Sequence, residues 1–170
     1  YKKYYPKLKS PQLQPVNYNI NYGYNLPYKK GQYYKVIQGY DGTYSHAGKN
    51  AIDFEMPEGT EIYAIREGFV FQVVDHNSRG CASEDCLRVA HVLRIRHPDG
   101  VLASYSHIRK NGAVVKKGDY VKKGDLIGYS GNTGWSTVPH LHLECYIPSD
   151  KGWKSIKTLF RRHYPTKCVS

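Results

Sequence analysis

Residues 115–128 read Val115-Lys116-Lys117-Gly118-Asp119-Tyr120-Val121-Lys122-Lys123-Gly124-Asp125-Leu126-Ile127-Gly128, and this stretch decides the fold class. The tetrapeptide Lys-Lys-Gly-Asp occurs in it twice, six residues apart. Each copy has the make-up of a turn: glycine reaches a left-handed backbone that other residues resist, and the aspartate carboxylate bonds nearby main chain. The segments delimited by these turns, 119–121 and 126–129, are too short for helices and carry Val, Ile, Tyr and Leu, as short strands do. The same rhythm continues outward. Downstream, Gly131-Asn132-Thr133-Gly134 makes another turn before a strand over 140–147. Upstream, Pro98-Asp99-Gly100 separates 91–97 from 101–107, Pro57-Glu58-Gly59 separates 51–54 from 61–64, and a further strand covers 68–75. Only 155–163 has brief helical character. The pattern predicts an all-β domain with loops long enough to build a site.

Composition divides the chain. Residues 1–35 hold Pro6, Pro11, Pro15 and Pro27 among Tyr, Asn, Lys and Gln, with little apolar periodicity to bury. They are expected to form an extended arm, its tyrosines either pinned on the domain or available to stack on a ligand. One domain is expected over 36–150, with a tail over 151–170 that includes a short helix; 170 residues suit a single core, and a monomer is expected. Lys and Arg number 25 against 14 Asp and Glu, a formal charge of +11. Such a surface attracts anionic polymers. No nucleic-acid motif accompanies the charge, so no nucleic-acid partner is expected. No run of about 18 apolar residues occurs, so no transmembrane helix is expected. The four cysteines suggest two bridges, Cys81–Cys86 around a short polar loop and Cys145–Cys168, and with them a secreted or periplasmic, cell-envelope location.

The histidines are distinguished by their neighbours. His46 lies in Ser45-His46-Ala47-Gly48-Lys49-Asn50-Ala51-Ile52-Asp53, a glycine-bearing loop running into a strand that carries Asp53. His140 and His142 alternate with Leu141 and Leu143, so a strand puts both imidazoles on one face. Neutral imidazole and carboxylate suit Zn²⁺, and a catalytic zinc keeps one position open beside three protein ligands. A His/Asp/His set meets that count.

Further motifs follow in order: Gly59-Thr60-Glu61-Ile62-Tyr63-Ala64, Tyr105-Ser106-His107, Val121-Lys122-Lys123-Gly124-Asp125, Ser130-Gly131-Asn132-Thr133-Gly134 and Pro139-His140-Leu141-His142. With His46 and Asp53 ahead of them, residues 37–147 resemble the lysostaphin/LytM family of zinc endopeptidases. The resemblance implies the duplicated-hybrid-motif fold, a β-sheet sandwich with long loops around a zinc groove. It implies one Zn²⁺ on His46, Asp53 and His142, and His107 and His140 as unligated catalytic histidines. It implies a peptide of peptidoglycan, stem or cross-bridge, as substrate. Tyr105, Asn132, Thr133 and Trp135 are candidate substrate contacts. The family's commonest spacing leaves three residues between the first His and the Asp, whereas six separate His46 from Asp53, so the ligand loop is expected to bulge. His76, His91, His97 and His163 match no motif and are expected to be ordinary surface or strand residues.

Two other readings use the same residues. A catalytically silent relative, serving as a wall-binding or activator module, would lack ligands, yet the His and Asp positions are intact here. A carrier domain of the lipoyl or phosphotransferase type would explain Val121-Lys122-Lys123-Gly124-Asp125-Leu126-Ile127-Gly128 but has no use for His46 and Asp53.

Overall fold

The structure is a computed structural model and describes residues 16–76, the backbone of 80–81, residue 86, and 90–161. Among these the chain forms strands joined by turns, with no α-helix. In chain order the strands are β1 (Gly23–Tyr24), β2 (Val36–Gln38), β3 (Ala51–Glu55), β4 (Glu61–Tyr63), β5 (Gly68–Val74), β6 (Gly80–Cys81), β7 (Val92–Arg96) and β8 (Leu102–Ser106). There follow β9 (Ile108–Ala113), β10 (Tyr120–Val121), β11 (Leu126–Ser130), β12 (Gly134–Trp135), β13 (His140–Ser149), β14 (Gly152–Ile156) and β15 (Leu159–Phe160).

The large sheet runs β10-β5-β7-β8-β13-β3-β2, with β14 paired to the far end of β13. A three-stranded sheet, β4-β11-β9, packs against it. Alternation on β13 makes the two faces: Leu141, Leu143 and Cys145 are buried in the core cluster, while His140, His142 and Glu144 point to the opposite side. Ile62, Ile108 and Ile127 of the smaller sheet meet Leu93, Ile95 and Leu141 of the larger one in the same cluster. Each such side chain contributes roughly 1.5–3 kcal/mol by leaving water. The polar face of the big sheet is thereby free to carry chemistry.

The tandem turns hook strands together in the same way twice. Gly118 N–H donates to Val70 O (2.8 Å) and Val70 N–H returns a bond to Asp119 O (2.8 Å); Gly124 and Asp125 repeat this with Ala64 at 2.8 and 2.9 Å. Asp119 and Asp125 close their own turns by accepting from Lys116 N and Lys122 N at 2.9 and 2.7 Å. The glycines stand at φ 95° and 89°, where any side chain would be strained.

Three expectations are corrected. Residues 155–160 are not helical: β14 pairs with β13 from Ser149↔Gly152 to Cys145↔Ile156, and β15 pairs in parallel with β1. A tight hairpin onto an already buried strand outweighs weak helical propensity. Residue 163 lies outside the described residues. Cys145, expected to bridge to Cys168, is a free thiol on the core face of β13. Burial there pushes its pKa up, and Cys168 lies outside the described residues. The third correction concerns Tyr105 and belongs with the site. Cys86 is disulfide-bonded; the side chain of Cys81 is outside the described residues.

From residue 16 onward the arm packs on the body. Tyr24 is buried in the core cluster, and Tyr18, Tyr22, Tyr28 and Tyr34 pack against it. Main-chain bonds Asn25 N→Ile65 O (3.0 Å), Tyr63 N→Pro27 O (2.9 Å) and Arg161 N→Tyr24 O (2.8 Å) fix the path.

Candidate active site

The site is set by the register of β3 and β13. Asp53 and His142 are direct partners in this antiparallel pair, and both lie on the polar face, so their side chains meet. Asp53 Oδ1 is 2.9 Å from His142 Nδ1. His46 arrives from the loop between β2 and β3 and is fully buried; its Nε2 lies 3.2 Å from Asp53 Oδ2 and 3.2 Å from His142 Nδ1. Bonds of about 2.0–2.2 Å to a tetrahedral ion place its ligand atoms roughly 3.3 Å apart. The donor set therefore fits zinc.

The tautomers agree with that fit. His46 Nδ1–H donates to Gly39 O at 3.0 Å, leaving Nε2 with the lone pair. His142 Nε2–H donates to Glu144 Oε2 at 3.4 Å, and Tyr146 OH holds that same oxygen at 2.5 Å. This is the carboxylate–histidine support that orients metal-binding imidazoles. Burial disfavours charge on both Asp53 and His142, but their mutual hydrogen bond outweighs it. Together with His46 it holds the Asp53 carboxyl well below the usual carboxylate range. His142, bonded also to Glu144, is lifted to about 9. Without metal the Nδ1 of His142 thus carries a proton, which a metal ion must displace.

The long connection from His46 to Asp53 turns outward and is tied at both ends. Gly48 N–H donates to Asp41 Oδ1 (2.7 Å), Asp41 N–H to Lys49 O (2.9 Å), and Asn50 bonds Ser155 through its backbone N–H and its side chain, each at 3.0 Å. The expected bulge is a bonded turn of its own.

His107 and His140 stand together beside the triad, with ring centroids 4.4 Å apart. His107 Nδ1–H donates to Thr133 O at 2.6 Å, and His140 Nδ1–H to Val138 O at 2.8 Å. Each ring is thereby fixed with Nε2 as its lone-pair nitrogen. The Nε2 of His140 is 3.9 Å from Asp53 Oδ1. Burial first, and then the charges of His140 and His142, push His107 down to about 3; burial likewise lowers His140. Both are neutral imidazoles near pH 7.

A groove of about 560 Å³ runs past these residues, and Tyr44, Trp135, Ser136, Val138, Gln72 and Arg94 are among the residues that line it. Tyr44 and Trp135 approach to 6.1 Å between centroids. Of the four residues expected to touch substrate, Trp135 lines the groove and the other three do not. Tyr105 is fully buried in the core, where its hydroxyl accepts from Ile65 N at 3.0 Å. A regular strand would place residues 105 and 107 on one face, but His107 sits at φ 65°, which breaks the alternation and swings its ring to the groove. Thr133 serves by bonding: its hydroxyl donates to Ile108 O (2.9 Å) and accepts from His91 N (3.2 Å), while its carbonyl holds His107. Asn132 is half-buried outside the groove. His91 and His97 are buried and bonded to Ile108 O and Glu67 O, apart from the triad. Glu144 and Gln38 escaped the sequence reading. Glu144 was findable, two residues beyond His142 on the same strand face.

Residues 47–154 match the profile of Peptidase family M23. The chain belongs to peptidase family M23. It is 37% identical over 101 residues to the peptidoglycan DD-endopeptidase ShyA of Vibrio cholerae, a match covering 59% of this chain and 21% of ShyA. It is similar in structure to the catalytic domain of the antimicrobial peptidase lysostaphin from Staphylococcus simulans, with a TM-score of 0.52, 31% identity, and 75% and 88% of the two chains covered. A zinc-containing peptidase from Vibrio cholerae gives 0.58, at 25% identity over 83% of this chain and 40% of its own. The expected lysostaphin/LytM-like sandwich is thus the fold of this M23 chain, and the family implies zinc. The chain spans about a quarter of the length of the curated relatives it matches, 25% of a metalloprotease of Buchnera aphidicola and 21% of ShyA.

Proposed function

We propose that this M23 chain is a zinc metalloendopeptidase that hydrolyses peptide stems or cross-bridges of bacterial peptidoglycan, with one zinc ion on His46, Asp53 and His142. The observation that carries the reading is the triangle of donor atoms, 2.9, 3.2 and 3.2 Å on its edges, next to two neutral histidines in an open groove. When bound, zinc supplies Lewis acidity that polarises a peptide carbonyl and lowers the pKa of a water.

The chain's own residues do the rest. The groove lined by Tyr44 and Trp135 holds an extended peptide with its scissile bond over the triad. His107 and His140, each with Nδ1–H locked to a backbone carbonyl, offer Nε2 to take up a proton and pass it to the departing amine. Thr133 and Val138 keep those rings from turning. A formal net charge of +11 draws the protein to an anionic wall, and a cell-envelope or extracellular site of action and the Cys81–Cys86 bridge complete the reading.

The test is digestion of purified walls that differ in cross-bridge chemistry, by protein stripped of metal and by the same protein reloaded with zinc, with products identified by mass. New amino termini from at least one wall type are expected, and only with zinc. Intact walls of every chemistry in the presence of a stoichiometric zinc ion would end this proposal.

A further inference from the structure

Gln38 is the last residue of β2 and the direct partner of Asp53 across the strand pair. Its amide uses its whole bonding capacity. Oε1 accepts from the backbone N–H groups of Tyr44 (3.1 Å) and Ser45 (3.0 Å); Nε2 donates to Ser45 Oγ (2.8 Å) and to Asp53 Oδ2 (3.0 Å). Two donors and two acceptors are what a glutamine possesses. The orientation is settled by the partners, because a flipped amide would set its NH₂ against two backbone N–H groups.

The position of this amide relates two of the three metal donors. On one side it fixes the plane of the Asp53 carboxylate, whose Oδ1 then faces His142 Nδ1 and whose Oδ2 faces His46 Nε2. On the other side it holds the backbone immediately before His46. Space is made for it as well: a Cβ added to Gly42 would come within 2.5 Å of Gln38 Cγ.

We propose that Gln38 is a positioning residue for the metal centre, one amide that orients the Asp53 carboxylate and anchors the loop carrying His46. It lines the groove, but all four of its amide bonds go to the protein; it raises metal affinity by holding two donors at binding distance before the ion arrives. Outer partners of this kind typically contribute about 10–100-fold in metal affinity. The inference rests on the zinc assignment above.

Two substitutions separate the two halves of the role. Gln38→Met has similar length and removes all four bonds. Gln38→Glu keeps acceptors for Tyr44 and Ser45 but loses the donation to Asp53 and faces it with a second carboxylate. Zinc dissociation constants are measured by chelator competition at fixed pH. The thermal midpoint of the zinc-free forms serves as the folding control, and the visible spectrum of cobalt-loaded protein reports ligand geometry. Both variants are expected to bind zinc about 10–100-fold more weakly with an altered cobalt spectrum. Activity per bound metal should fall less than affinity. Gly42→Ala, which displaces the side chain without altering it, is expected to weaken zinc in the same direction and supplies the measurement if Gln38→Met does not fold. Affinity within twofold of the unsubstituted protein in Gln38→Glu and Gly42→Ala overturns the inference and leaves the metal assignment standing. An unsubstituted protein that binds no zinc overturns both.

Discussion

His107 shows how much a single backbone angle decides. Its φ of 65° is uncommon for a residue with a side chain and is held at functional sites at a cost of order 1–3 kcal/mol. Here the surroundings impose it: His91 O accepts the His107 N–H at 3.0 Å and Thr133 O takes Nδ1–H. A zinc-competent set was legible from residue types, in His46, Asp53 and the alternating His140 and His142, while the choice of His46, Asp53 and His142 as the ligands came from the family resemblance. The substrate contacts were not legible, because pattern reading assumes that 105 and 107 share a face, and a left-handed residue between two strands leaves no mark in composition. Replacing His107 by Asn, which tolerates this backbone, should leave the fold and the zinc in place and lower hydrolysis of a wall substrate by about 10²–10⁴-fold. Metal content and turnover measured on one preparation decide the matter: a loss of zinc would make His107 a structural residue, and near-normal turnover would remove it from the mechanism.

At the scale of elements, strands with a buried apolar face announce themselves, while β9 and β2 do not. The reading over 68–75, 91–97, 101–107 and 140–147 falls on β5, β7, β8 and β13, whose core faces carry Val70, Leu93, Ile95, Ala103 and Leu141. β9, Ile-Arg-Lys-Asn-Gly-Ala, exposes Arg109, Lys110 and Asn111 and is held by pairing to β11. Nothing in its composition says strand, and β2, which carries Gln38, is three residues long. The loop before β13 holds the His107 ring through Thr133 O. Gly134 has φ 77°, and a Cβ there would sit 2.4 Å from Ala90 Cβ. Gly134→Ala must shift this loop against Ala90, and the bond from His107 to Thr133 O is expected to be disturbed with it. The variant is expected to lose about 1–3 kcal/mol of stability and to retain zinc with a reduced kcat, whereas an unchanged kcat would show that the Thr133 carbonyl does not set the His107 ring.

At the scale of the whole molecule, a segment that composition presents as an extended arm packs on the core from residue 16 onward. Prolines and a surplus of polar residues argued against a core in 1–35, and such a segment indeed needs the domain's surface: Tyr24 is 3% exposed, and Arg66 lies 3.9 Å over the Tyr22 ring. None of residues 16–35 lines the groove, so this part of the arm supports the fold from elsewhere. Its contact with His97, 6.0 Å between ring centroids, ties the arm to acid stability. Burial first, and then the nearby Arg66 charge, lower His97 from 6.5 to about 4, against the opposing bond to Glu67 O. The folded protein thus refuses a proton that the unfolded chain binds below pH 6.5. This contribution is complete above that pH, declines as pH falls, and is gone once pH passes about 4, a total of roughly 3 kcal/mol. Tyr24→Ala removes the ring and admits water to His97. It should cost about 3–5 kcal/mol at pH 7 and flatten the decline between pH 6.5 and 4. His97→Gln should remove that part of the decline outright. Denaturant unfolding of the zinc-free forms at several pH values, so that acid release of metal plays no part, compares the two substitutions singly and together. If the arm is what keeps His97 dry, their effects on the pH slope overlap instead of adding. Independent, additive slopes would mean that β7 and its neighbours shield His97 without the arm.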